Sequence, residues 1–140
     1  MKRWRFFAAM LLLGALLVAG VRYVLEKRAQ RRREAAYQSA LSSYTAVLRP
    51  GMTRKEVEDY FRAKNIRFRQ MCCVDIKTFS RNVFDDLTKI GQEEAPWFCS
   101  ERNIYVAFQL DGPARNVGWN ANDSDRLKVV TIYPWLEGCL

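Results

Sequence analysis

The chain has 140 residues, with 23 Lys and Arg against 15 Asp and Glu, no histidine and four cysteines, for a formal net charge of +8. The lack of histidine excludes Ser-His-Asp and Cys-His catalysis and most zinc sites, which use imidazole as base or ligand. The excess charge sits in the N-terminal quarter: residues 1–34 carry 9 Lys and Arg against 2 acids, and residues 35–140 carry 14 against 13, so the body of the chain is nearly neutral and leaves no footprint for nucleic acid.

Residues 1–5 form a basic tail with Lys2, Arg3 and Arg5, and Phe6 to Val21 is an uncharged apolar run of 16 residues. A helix rises about 1.5 Å per residue and hydrocarbon is about 30 Å thick, so a span needs roughly 20 residues. The run reaches that length through Tyr23, Val24 and Leu25 if Arg22 snorkels to the headgroups. Trp4 and Tyr23 bracket it as interfacial aromatics do. The favoured reading is a transmembrane signal anchor over 6–25, with the lipid bilayer as partner. Ala15 and Ala19 give it a small-xxx-small pair, a weak dimerisation signal. Two other readings fit: a secretory signal cleaved near Gly20, after Val18 and Ala19, and a buried core helix.

Orientation divides the signals. Six Lys and Arg follow the run within residues 22–33 and three precede it, which by the positive-inside count puts the C-terminal domain in the cytoplasm. An even number of cysteines in a small domain fits an oxidising compartment instead. An extracytoplasmic (periplasmic) domain is the preferred expectation, with a cytoplasmic-facing domain as the alternative. Lys27, Arg28, Arg31, Arg32 and Arg33 then form a juxtamembrane patch that faces anionic lipid or is simply a solvated helix face.

Residues 22–48 contain no Gly or Pro and read as a helix, with 26–48 a basic stalk. Pro50 and Gly51 stop it, and an α+β domain is expected over 49–140. Thr53 and Glu56 form a capping box, while Met52 before the cap and Val57 four positions inside form a hydrophobic staple. Val57, Tyr60 and Phe61 share one face, Glu58 and Arg62 make an i,i+4 pair, and Asn65 is a stop. These signals predict a helix over 53–64.

Beyond it the pattern is β. Ile66, Phe68, Cys72 and Val74 alternate with polar positions, Gln70 excepted. Within 79–91 helix and strand signals compete, and a strand near 84–90 is preferred. Ile104, Val106, Phe108 and Leu110 mark a half-buried strand, 111–125 is a turn-rich loop, and 127–133 is a β-branched strand ending at Pro134. The expected architecture is α+β: a transmembrane helix, then two helices packed on a three- to four-stranded antiparallel sheet.

The segment Leu48-Arg49-Pro50-Gly51-Met52-Thr53-Arg54-Lys55-Glu56-Val57 resembles the signature of the SmpA/OmlA (BamE-like) family. The resemblance implies two helices followed by a small antiparallel sheet, as in β-lactamase-inhibitory-protein-like folds, in a non-enzymatic bacterial envelope protein that works through protein or lipid contacts. It covers 10 to 20 residues. The chain departs from the family in lacking a lipid-attachment cysteine near the N-terminus and a Gly-x-Pro exit after the helix.

No phosphate-binding glycine loop, metal motif or cofactor motif is present, and no carboxylate spacing singles out a catalytic residue. Cys72 and Cys73, adjacent on an expected strand, would point to opposite faces. Leaving the vicinal bond aside, two pairings with Cys99 and Cys139 remain: 72–99 with 73–139, or 73–99 with 72–139. Free thiols in a cytoplasmic domain, or metal and redox chemistry, are the alternatives. Residues 120–125 fail the EF-hand pattern for want of Gly and Glu at its fixed positions. Trp97, Trp119 and Trp135 either cover the sheet or form a recognition patch, with Trp119 and Trp135 the candidate binding aromatics. The expected function is a non-catalytic, membrane-anchored interaction module with an envelope protein as partner. The alternatives are a purely structural tethered domain, a secreted domain and, as a minor reading, a carboxylate enzyme.

Overall fold

The computed structural model describes residues 2–116 and 118–140, without the side chains of 2–6, 8 and 9. The side chains of the basic tail and of Phe6 therefore lie outside the described residues. The chain divides into two compact units, residues 1–36 and 37–140. The first consists of the greater part of helix α1, Lys2–Thr45. Among the described residues no helix is long and apolar enough to cross a membrane.

The second unit is an α+β domain. Its elements are the last turns of α1, then α2 (Arg54–Ala63), β1 (Arg69–Met71), α3 (Ile76–Ser80), β2 (Asp85–Glu93), β3 (Glu101–Asp111) and β4 (Arg126–Glu137). The strands form one antiparallel sheet in the order β1-β2-β3-β4, so each pairs with its neighbour in sequence. This unit takes in Tyr37, Leu41, Tyr44 and Leu48, which the sequence placed on the stalk; all four are buried or half-buried in it.

The turn between the first two helices is built as the sequence implies. Gly51 adopts φ +95°, a conformation that costs other residues a Cβ clash. Its N–H donates to Leu127 O at 2.7 Å, and Leu127 N–H donates back to Met52 O at 2.7 Å, which fastens the turn to the start of β4. Thr53 caps α2 with both halves of the capping box present: Thr53 N–H donates to Glu56 Oε2 at 2.7 Å and Glu56 N–H to Thr53 Oγ1 at 3.3 Å. Lys64 closes the helix and Asn65 takes φ 55°.

The main core lies between α2 and one face of the sheet. Leu48, Val57 and Phe61 meet Val83, Val106, Phe108, Leu110 and Leu127, with Met52 and Tyr44 packed alongside. Phe61 and Phe108 cross edge-on at 4.8 Å. Strand alternation sends the intervening residues to the outer face, where Leu87, Tyr105 and Ala107 form a smaller cluster with Met71, Val74, Tyr133 and Trp135. Gly91 is required on β2, because a Cβ there would sit 2.6 Å from the Tyr37 ring.

Three expectations are corrected, and one short element is added. The strand foreseen over 66–74 shrinks to Arg69–Met71: Ile66 and Phe68 pack with the main core and Met71 and Val74 with the outer cluster, so the chain crosses the sheet edge here. Residues 76–80 form a short helix, started by Asp75, whose carboxylate accepts from Lys77 N–H at 3.2 Å. The last strand runs past Pro134 to Glu137, because β4 is an edge strand and the missing N–H can face away from the ladder. The disulfides are Cys72–Cys73, across a cis peptide, and Cys99–Cys139, neither of the two pairings favoured above. The reason is the shortened strand: Cys72 and Cys73 stand in the turn after Met71, where the alternation that would send them to opposite faces does not hold. Cys99 precedes β3 and Cys139 follows β4, and Glu101 pairs with Glu137, so the antiparallel register brings these two together.

Two stability effects follow. Thr53→Ala should cost about 1 kcal/mol in urea unfolding through loss of the cap, and an unchanged unfolding midpoint would count against this boundary of α2. The Cys99–Cys139 bond spans 40 residues, whereas Cys72–Cys73 closes no chain loop; replacing the first pair by serines should cost about 2–4 kcal/mol and replacing the second a small part of that. Equal losses in thermal melts would reverse this ranking.

Candidate functional site

Arg54 is the first residue of α2 and is only 1% exposed. Its backbone N–H donates to Asp125 O at 2.7 Å. Its guanidinium donates from Nη1 to Asp86 Oδ1 at 2.6 Å and from Nη2 to Phe84 O at 2.5 Å, and pairs with Asp125 Oδ2 at 3.4 Å. Asp125 also pairs with Arg115 and accepts from Asn122 N–H at 3.0 Å. Burial pushes the Asp86 carboxyl up to about 7, against the pull of Arg54. Its neighbour Asp85 is also raised by burial and accepts from Val74 N–H, Thr78 Oγ1 and Leu110 N–H.

This cluster holds α2, the start of β2 and the 111–125 loop together. Asp85 and Asp86 are neighbours on one strand and point to opposite sides. Both side chains are fully buried; Asp85 accepts at both oxygens, whereas Asp86 Oδ2 has no hydrogen-bond partner among the described residues.

The outer face of the sheet is more accessible. Arg69 on β1 lies 4.6 Å above the Tyr105 ring and pairs with Glu137 on β4 at 2.5 Å. Tyr105 OH donates to the same carboxylate at 3.3 Å. Arg69 holds the Glu137 carboxyl below its usual range, and burial raises the Tyr105 hydroxyl. Side chains from both edge strands thus meet over β3. Beside them the half-buried rings of Tyr133 and Trp135 lie 5.8 Å apart.

A groove of 540 Å³ opens next to this face, where the chain leading into β1 diverges from β2. Tyr44 from the helical side and Tyr105 from the outer side both line it, so it enters along the sheet edge. Arg67 and Lys89 stand exposed at its rim.

The residues singled out from sequence do not converge on one place. Met52, Thr53, Glu56 and Val57 form the cap and core of α2. Trp119 packs against Phe79 and Phe84 at 5.5 and 5.7 Å, whereas Trp135 belongs to the outer face with Tyr133, so these two aromatics form separate clusters. Trp97 is 91% exposed at the tip between β2 and β3 and meets only Phe98 among the aromatic contacts described. Lys27, Arg28, Arg31, Arg32 and Arg33 lie exposed on α1 in the first unit. Among the described residues no group of three or more His, Cys, Asp or Glu is placed to hold a metal ion.

Sequence reasoning missed Arg54, Asp86 and Asp125. Arg54 sits in the polar first turn of an amphipathic helix, where a charged residue signals solvent, and its acidic partners are 32 and 71 residues away. The groove was missed because it depends on how late β1 begins. Compared with family models, curated proteins and solved structures, the chain shows no significant match to any.

The raised Asp86 carboxyl has a pH signature. A carboxyl that keeps its proton longer in the folded state than in the unfolded one stabilises the fold at low pH and loses that contribution as pH rises. Asp86 should therefore withdraw stability between pH 3.8 and about 7. Measured by urea unfolding across that window, the stability of the native chain minus that of Asp86→Asn should fall as pH rises; a constant difference would show that Asp86 titrates normally.

Proposed function

We propose that the chain is a single-pass, membrane-anchored envelope protein whose C-terminal domain is a non-catalytic binding module. The observation that carries this reading is the apolar, uncharged run Phe6–Val21 with a basic cluster on each side, followed by a domain whose four cysteines are all paired. Paired cysteines in a small domain favour an oxidising compartment and so an extracytoplasmic placement, against the plain count of flanking charges. The resemblance of Leu48–Val57 to the SmpA/OmlA signature supports an envelope role through contacts rather than catalysis. The uncharged aromatic pair Tyr133 and Trp135 on the outer face, and the separate open groove that Tyr105 lines, support binding as the activity. Asp85 and Asp86, the carboxyls that burial raises, are sealed in the interior, which favours contact over catalysis. The basic stretch after the run, Lys27 to Arg33, is then the part that faces anionic headgroups.

Thiol labelling of intact cells with an impermeant maleimide, with and without an impermeant reductant, tests the placement. Labelling that appears only after reduction, on a full-length protein in the membrane pellet, is the expected result. Labelling that needs lysis but no reductant would overturn the extracytoplasmic reading, and recovery of a shortened protein in the soluble fraction would overturn the anchor in favour of cleavage near Gly20.

A further inference from the structure

The edge of β2 is only partly covered. β1 pairs with Asp85, Asp86 and Leu87, and the last pair of that ladder is Arg69 with Leu87. β2 continues to Glu93, and over that stretch it pairs with β3 on its other side. From Thr88 onward, half of the backbone donors and acceptors of β2 therefore face away from β3, and no described strand pairs with them. The groove lies along the start of this free edge. Its walls are the Tyr44 and Phe68 rings on one side of the sheet plane and Tyr105 on the other. Its floor includes Thr88, which is 5% exposed and whose Oγ1 has no hydrogen-bond partner.

The rim is basic. Among the described residues Arg67 makes no ion pair, and Lys89 Nζ donates to the neutral Gln92 side chain at 3.2 Å and makes no ion pair. Arg69 adds a third cation, already matched by Glu137. We propose that this edge, from Thr88 to Gln92, takes an extended acidic segment of a partner protein as an added strand. Main-chain hydrogen bonds to β2 supply the register, and Arg67 and Lys89 select acidic side chains. A segment of five residues spans about 17 Å, at roughly 3.4 Å per residue. A second copy of this chain is the poorer occupant, because edge-to-edge pairing would set Arg67 and Lys89 of one copy against those of the other. The proposal rests on the domain being a binding module and not on its membrane placement, so it and the labelling result can fail separately.

The test uses the full chain in an uncharged detergent and a fluorescein-labelled nonapeptide of alternating Val and Glu, titrated by fluorescence polarisation at low salt. Two comparison peptides are needed: one with Lys for Glu, and one with the Val-Glu sequence N-methylated at every residue. The expected result is saturable binding of the acidic peptide alone. It should weaken about tenfold or more in Arg67→Glu/Lys89→Glu, both exposed positions, with the melting temperature of the variant confirming its fold. Absence of saturable binding, equal binding of the Lys peptide, or indifference to the charge reversal would overturn the proposal. Retention by the N-methylated peptide would overturn the added strand and leave plain charge attraction. A doubled molecular mass in light scattering without peptide would assign the edge to a second copy instead.

Discussion

The guanidinium of Arg54 is the point on which the domain turns. A buried cation is costly unless its hydrogen bonds are met, and here the sheet, the preceding turn and the long loop each contribute an acceptor. Asp86 fixes the start of β2 against α2. The Phe84 carbonyl fixes the chain entering that strand. Asp125 fixes the loop that delivers β4. Removing the cation would leave Asp86 and Asp125 buried beside each other with one neutralising partner fewer, while Arg115 continued to serve only the second. The helix would lose its docking to three segments at once, and a loss of several kcal/mol is typical when one member of a buried pair is removed.

The capping box and the turn at Gly51 follow from that constraint. Arg54 enters the interior because its own N–H reaches Asp125 O, and that bond requires α2 to begin where Thr53 caps it. The backbone exchange between Gly51, Met52 and Leu127 sets the same registration from the strand side. The motif read from sequence as a local stop-and-start signal thus also registers α2 on the first residues of β4.

How much of this was legible depends on the range of each interaction. The cap, the staple, the face carrying Val57, Tyr60 and Phe61, and the strand around Ile104–Leu110 are encoded within a few residues, and they were read with boundaries close to those observed. The competing signals of 79–91 resolve into a strand whose buried residues include Leu87 and Thr88. What failed was non-local. The reach of β1 depends on where the chain crosses the sheet edge, which alternation alone does not specify. The disulfides followed from that error, since Cys72 and Cys73 lie past the end of the strand. Pro134 was read as a terminator because its place on an edge strand was unknown. Arg54 was read as a surface charge because burial of a cation is announced only by partners that come from far along the sequence. The outer-face network of Arg69, Tyr105 and Glu137 is hidden for the same reason.

The Cys99–Cys139 bond has a mechanical meaning beyond its effect on the unfolded chain. β4 is an outer strand, and a pull on the C-terminus would ordinarily peel it from β3 one hydrogen-bonded pair at a time, starting at Glu137. The bond lies just outside that first pair, so the load passes covalently to the head of β3, an interior strand of the sheet. At the opposite end β4 is held by the turn at Gly51 and by Asp125. Fastened at both ends, β4 cannot peel from β3 starting at either one.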